Sequence, residues 1–256
     1  MKIAVSIKQV PTRDSALRVD PGGKWLDESD LAYEMNEPDA YALEEALQLK
    51  EKLGGEVLVL CAGAERAQQT IREALAKGAD RAIHVETEPG ALFDPLVTAR
   101  LLAKAVESEQ PDLILTGLQS DDAGYGETGV LMADVLGYAH ATIVVEVEAQ
   151  AGSVRVKREL ENGWFQHVSL PLPAVLTIQS GIKKLRYATL MGIKKARTKE
   201  IKSLKANQLG VDLRPALLLD GIYAPERVKQ SQIFSGDVQT AAHQLIEKLR
   251  FEVRVL

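Results

Sequence analysis

Short apolar runs alternate with segments of helical period through the first half of the chain. Residues 3–7 (IAVSI), 56–60 (EVLVL), 82–85 (AIHV) and 113–116 (LILT) are dominated by apolar and β-branched residues and predict buried strands. Between them, residues 39–53, 64–77 and 95–108 carry apolar stripes; in the first, Leu43 and Leu47, and Ala46, Leu49 and Leu53, fall three or four apart. Gly54-Gly55 and Gly78 follow two of these segments, where a left-handed terminator closes a helix. This alternation predicts an α/β fold, a mostly parallel sheet flanked by helices in a Rossmann-like arrangement.

After residue 140 the period becomes two. Residues 142–148, 153–159 and 164–170 alternate, with Ala151-Gly152 and Asn162-Gly163 as turns, so an antiparallel β-hairpin extension is expected over 141–170. Beyond Pro171 and Pro173, residues 174–179 form another β-like run able to rejoin the main sheet. No period dominates from Gln9 to Met35, and connections that long are usually functional. Past Lys205 periodicity fades until a helix near 237–250, and residues 217–235 read as an arm needing another surface. The expected organisation is one α/β domain over 1–203 and a C-terminal arm over 204–256.

The most informative stretch is LILTGLQSDDAGYGETG, residues 113–129, a strand running into a glycine-rich loop that opens a helix near 127–136. Small residues let backbone approach a ligand, and unpaired helix-start amides suit a phosphate. Gly124, Gly126 and Gly129 spell G-x-G-x-x-G, but seven residues, Gly117 to Ala123, precede the first of them. A dinucleotide fingerprint turns directly after its strand, so a nucleotide loop of another kind is favoured over that fingerprint and over an ordinary connection. The sequence Asn36-Glu37-Pro38-Asp39 places a capping residue and a proline at another helix start. In a parallel sheet Ser6, Asn36 to Asp39, Ala62 and the loop from Gly117 to Thr128 converge on one edge, where a ligand crevice belongs.

Composition narrows the function. The 256 residues are 46 % hydrophobic with a net charge of −5, which argues against general nucleic-acid affinity. No run approaches the roughly 18 apolar residues of a membrane helix, and the opening MKIAVSIKQV reads as a strand, so a cytoplasmic protein is expected. The single cysteine, Cys61, reads as a structural thiol, and the four histidines lack metal-ligand spacing. Residues 183–205 hold nine Lys or Arg and one acid, Glu200. That stretch reads as a solvated basic helix face, then as a docking surface for an acidic protein; RNA ranks third, because only Tyr187 offers a stacking ring. There is no G-x-S-x-G elbow, P-loop or H-E-x-x-H, so neither catalytic residues nor a metal site is expected. The adjacent Asp121 and Asp122 suit capping or ribose contact better than acid–base chemistry.

Several segments together resemble the small (beta) subunit of electron transfer flavoproteins: IAVSIKQVP, NEPDAYALEEALQLKEK, AGAERAQQTIREALAKGADRAIHV, LILTGLQSDDAGYGETG, VRVKREL, LPAVLT and LRYATLMGIKKARTKEI. The resemblance covers most of residues 1–203. It implies an adenine-nucleotide-binding α/β domain that is no catalyst itself. Such a subunit pairs with an alpha subunit holding most of a shared FAD, accepts electrons from flavoprotein dehydrogenases such as acyl-CoA dehydrogenases, and passes them to a quinone reductase. It also implies an AMP contacting Ser6, Asn36, Glu37, Pro38, Asp39, Ala62, Gly117, Gln119, Ser120, Asp121, Asp122, Ala123, Gly124, Tyr125, Gly126, Glu127 and Thr128. Leu190, with Tyr187 beside it, matches the residue the family inserts into its dehydrogenase, and Glu159 matches a carboxylate paired with the alpha subunit. Two alternatives remain: a bifurcating flavoprotein with a second FAD in place of AMP, and a stand-alone nucleotide-binding protein of the universal-stress type. Glu127 departs from the family pattern; beside a phosphate it repels by about 1 kcal/mol unless it turns away or caps the helix.

Overall fold

The computed structural model describes residues 1–88, 94–225 and 231–255. Contacts divide the chain into two units, Met1–Ile222 and Tyr223–Leu256.

In the first unit the chain runs β1 (Lys2–Ser6), β2 (Gln9–Pro11), β3 (Tyr33–Met35), α1 (Glu37–Leu53), β4 (Glu56–Gly63), α2 (Gln68–Lys77), β5 (Arg81–Glu86), α3 (Pro95–Val106), β6 (Leu113–Gly117), α4 (Thr128–Leu136), β7 (Ala139–Gln150), β8 (Ser153–Glu159), β9 (Phe165–Pro171), β10 (Ala174–Ile178), α5 (Leu190–Ala196) and β11 (Ile201–Lys205). Nine strands form one sheet in the order β11-β5-β4-β1-β6-β10-β7-β8-β9. Pairing is parallel from β11 through to β7 and antiparallel across β7, β8 and β9. The alternation of side chains sorts the core into two layers. Ile3, Val5, Val57, Val59, Leu113 and Leu115 pack under α1 and α2, with Leu43, Leu47, Ile71 and Leu75. Ala4, Leu58, Leu60 and Ile114 face the opposite way and pack under α3 and α4, with Leu101, Leu102 and Met132. Both faces are covered, which is why these strands read as unbroken apolar runs.

The α/β architecture matches the expectation, and β10 does rejoin the sheet, between β6 and β7. β7 leaves the parallel sheet by a bend: Ile143 takes φ 56°, unfavourable for a β-branched residue, its amide donates to Thr177 Oγ1 at 3.2 Å, and the register shifts against both neighbours. Three expectations need correction. Residues 9–35 are not free of strand, because β2 and β3 pair antiparallel at the two ends of that loop. The basic stretch is not one helix face: only Leu190–Ala196 is helical, and Ile201–Lys205 joins the sheet edge beside β5. The helix expected from residue 64 begins with a 3₁₀ turn, Glu65–Ala67, before α2.

The second unit contains α6 (Val238–Lys248), capped by Asp237, whose side chain accepts from the amides of Gln239 and Thr240 at 3.0 Å each. A π-helical turn, Leu249–Val253, follows. α6 buries none of its residues.

Candidate functional site

The chain lays β4 and β5 on one side of β1, then crosses back to place β6 on the other. Loops leaving β1 and β6 therefore diverge to opposite faces, and the gap between them is where such sheets hold ligands. Two glycines let helix starts close onto this gap. A Cβ on Gly117, the last residue of β6, would lie 2.7 Å from Pro38 Cβ and 2.8 Å from Asp39 N, so the first turn of α1 rests on the strand end. A Cβ on Gly129 would lie 2.6 Å from Thr116 Oγ1 and 2.8 Å from Thr177 Cγ2, so α4 starts pressed against β6 and β10.

Two buried polar side chains hold the loops together. Asp39, 6 % exposed, accepts from the amide of Lys8 at 2.8 Å and that of Gly117 at 2.9 Å, joining the chain after β1 to the end of β6. Burial pushes its carboxyl up to about 7 against the pull of those amides. Asn36, 1 % exposed, donates from Nδ2 to Gln119 O at 3.0 Å and accepts from the Asp121 amide at 2.9 Å. It occupies the N-cap position of α1 yet makes no side-chain cap bond. The capping role expected for Asn36 is thus replaced by a clamp on the glycine loop. Cys61 is buried in β4, and burial followed by the charge of Asp39 pushes its thiol up to about 12, leaving it unreactive.

The crevice, with the open solvent at its mouth, spans about 770 Å³. Of the residues expected there, Ser6, Asn36, Asp39, Ala62, Gly117, Gln119, Ser120, Ala123, Tyr125, Gly126, Glu127 and Thr128 line it. Five do not. Pro38 packs against Gly117; Glu37 pairs with Arg13; Asp121 lies 3.6 Å from Arg13; Asp122 turns to Lys8 at 2.6 Å and to the Ala123 amide at 2.6 Å; and Gly124 supplies a turn with φ 67°. Asp121 and Asp122 therefore form no acid–base pair in the crevice. Sequence reasoning missed Lys8, Pro95, Thr98, Leu102 and Thr116, which also line it. Among the described residues Lys8 is the one cationic side chain in that lining, and its signal was its place two residues past Ser6, the end of the strand at the switch point.

At the start of α4, Glu127 occupies the N-cap position without a side-chain cap bond, and it is exposed. Among the described residues no acceptor takes the amides of Thr128, Gly129 or Val130, so they point a partial positive charge outward. A second crevice, spanning about 700 Å³ with the open solvent at its mouth, adjoins the first and shares Lys8 and Ala62 with it. Its lining includes Trp25, Tyr33, Arg66 and Asp122, with the Arg66 guanidinium 4.4 Å above the Tyr33 ring.

Away from both crevices, Tyr187 is 92 % and Leu190 86 % exposed. Leu190 opens α5, capped by Thr189 Oγ1, which accepts from the Gly192 amide at 3.0 Å. α5 is fastened to α2: Arg72 Nη1 donates to the carbonyls of Ala196 at 2.6 Å and Lys199 at 2.7 Å, while Lys199 Nζ returns to Leu75 O at 3.0 Å. Glu159 ends β8 opposite Phe165, half-buried.

Fold and crevice define a Rossmann-like α/β protein with a glycine-built cleft at the switch point of its sheet. Residues 24–209 match the family described as electron transfer flavoprotein domain. The chain is 36 % identical to the electron transfer flavoprotein subunit beta of Methylophilus methylotrophus, over 96 % of this chain and 97 % of that one. It is 37 % identical to the human subunit beta over 88 % and 89 % of the two chains, and 36 % identical to that of Bradyrhizobium diazoefficiens over the full length of both. The chain belongs to the electron transfer flavoprotein family, as a protein of its beta-subunit type. Among the described residues no helix is long and apolar enough to cross a membrane, and no cluster of His, Cys, Asp or Glu could hold a metal ion.

Proposed function

We propose that this chain is the beta subunit of a cytoplasmic two-chain electron carrier, with AMP in the switch-point crevice and a shared FAD held mainly by an alpha subunit. The observation that carries the adenylate is the uncapped start of α4 facing a cleft whose lining, among the described residues, includes the cation Lys8. The residues fit a nucleoside monophosphate: amides of Thr128 and Gly129 with Lys8 for the phosphate, and Ala62, Pro95 and Leu102 as apolar wall for the base. Exposed Glu127 is free to turn to solvent, which limits its repulsion to about 1 kcal/mol or less. Bound FAD supplies reversible electron storage; this chain's residues bind, orient and dock.

In this reading Leu190 and Tyr187 anchor flavoprotein dehydrogenases such as acyl-CoA dehydrogenases, a quinone reductase accepts the electrons, and Glu159 meets the alpha subunit. Residues 204–256 pack on that subunit, using apolar side chains such as Leu245 and Ile246, which are exposed on α6. The relatives carry the names of subunits, which counts against a stand-alone stress-type protein. One observation favours a second FAD in place of AMP, namely the adjoining second crevice. Purifying the chain with its alpha subunit, denaturing the complex and weighing the released nucleotides decides: one FAD and one AMP is expected, and two FAD without AMP refutes the adenylate.

A further inference from the structure

The two crevices meet at Lys8 and Ala62. Ala62 contributes only a methyl side chain there, whereas the Lys8 side chain makes a polar bridge. Lys8 Nζ reaches Asp122 Oδ1 at 2.6 Å and Ser120 Oγ at 3.4 Å, tying the chain after β1 to the glycine loop. Asp122 lines the second crevice and Ser120 the first, which puts one of the bridge's two posts on each side of it.

What lies beyond the bridge is chemically distinct. The first crevice offers helix-start amides and one cation. The second offers flat surfaces, Trp25 and Tyr33, and a guanidinium stacked on one of them. Tyr33 Oη is shielded from solvent, close to the Glu28 carboxylate and the Arg66 guanidinium. Joined, the two would match a dinucleotide, with its phosphates between an adenosine and a planar heterocycle. Divided, the first alone matches a mononucleotide.

We propose that the Lys8–Asp122 ion pair sets the length of ligand the crevice accepts, confining it to a nucleoside monophosphate by closing the passage to the aromatic crevice. This rests on the adenylate reading above. Both side chains are partly exposed, at 39 % for Lys8 and 24 % for Asp122, so removing either opens the passage without excavating the core. The bridge also turns Asp122 away from the first crevice, which explains why an acidic loop residue leaves a phosphate site unopposed.

The test compares the purified two-chain complex with its Asp122→Ala and Asp122→Glu forms. Each is equilibrated with equal excesses of AMP and FAD, desalted and denatured, and the nucleotides are counted. The wild type should release one FAD and one AMP. Asp122→Ala should approach two FAD with AMP reduced in proportion, while Asp122→Glu, which keeps a carboxylate for Lys8, should stay near one FAD and one AMP. If the wild type holds AMP and Asp122→Ala stays at one FAD, or loses AMP without gaining FAD, or if Asp122→Glu gains FAD as well, the partition is wrong while the adenylate stands. A wild type holding no AMP overturns the adenylate reading and the partition with it.

Discussion

Asp39 sets two opposing forces against each other, and a single isosteric change measures which wins. Burial raises its carboxyl from the ordinary 3.8 to about 7, although the amides of Lys8 and Gly117 favour the ionised form. A folded pKa above the unfolded one means the native state binds the extra proton between those two values. The stability from that proton is fully present below pH 3.8 and is lost as pH rises through about 7. The whole loss amounts to about 4 kcal/mol. Asp39→Asn removes the titration but leaves one of the two amides facing an NH₂ group, a pH-independent cost of about 1–3 kcal/mol. The stability curves should therefore cross at about pH 4.5 to 6, wild type the more stable below and Asp39→Asn above. Urea unfolding of both proteins from pH 4.5 to 8.5 reads the crossing, and the carboxyl ¹³C shift of Asp39 gives the titration directly. A variant less stable by a constant amount at every pH would refute the reasoning, because it would mean that the two amides outweigh burial.

Gly117→Ala should cost about 1–3 kcal/mol, since the new methyl has no room beside Pro38 and Asp39, and the complex should retain less adenylate after desalting; denaturation and nucleotide release check both. Leu190→Ala should leave stability within about 0.5 kcal/mol and flavin content unchanged, because the side chain is exposed. If it anchors the dehydrogenase, electron transfer from that partner should weaken by about thirtyfold, as for an interface residue worth about 2 kcal/mol; stopped-flow flavin reduction measures it.

What was legible in the sequence follows from how each element meets its surroundings. β1, β4, β5 and β6 lie inside a sheet covered on both faces, so their apolar runs stood out. β11 lies at the sheet edge, where Lys202 and Ser203 remain exposed, and its IKSLK merged with the basic residues before it. β2 has three residues, one a proline, too few for any period. Ser6, Ala62 and the start of the glycine loop lie at the strand ends, where parallel topology alone gathers them. Lys8, Thr98 and Leu102 were not legible, because their entry depends on how α3 and the chain after β1 pack, which no local pattern encodes. Asn36 drew notice for the right reason, a small polar residue at a helix start, yet its hydrogen bonds go to a loop more than eighty residues away. Local chemistry told that a bond would be made there; only the tertiary fold decided with whom.

α1 connects the two regions that the proposed function needs. Its first turn carries Asn36 and Asp39 into the crevice walls. Further along, Glu44, 4 % exposed, takes the Arg186 guanidinium through two bonds, at 2.8 and 3.0 Å, and Glu51 takes it at 2.7 Å. Lys183 approaches the buried Glu45 at 3.6 Å. Leaving one member of a buried ion pair without its partner costs about 3–5 kcal/mol, so the chain before Leu190 cannot lift from α1 without exposing Glu44 to that penalty. Together with the exchange between Arg72, Lys199 and the ends of α2 and α5, this fixes the backbone on both sides of the exposed Leu190. An anchor held this way loses little freedom when a partner closes over it, so a small transient interface can still be selective.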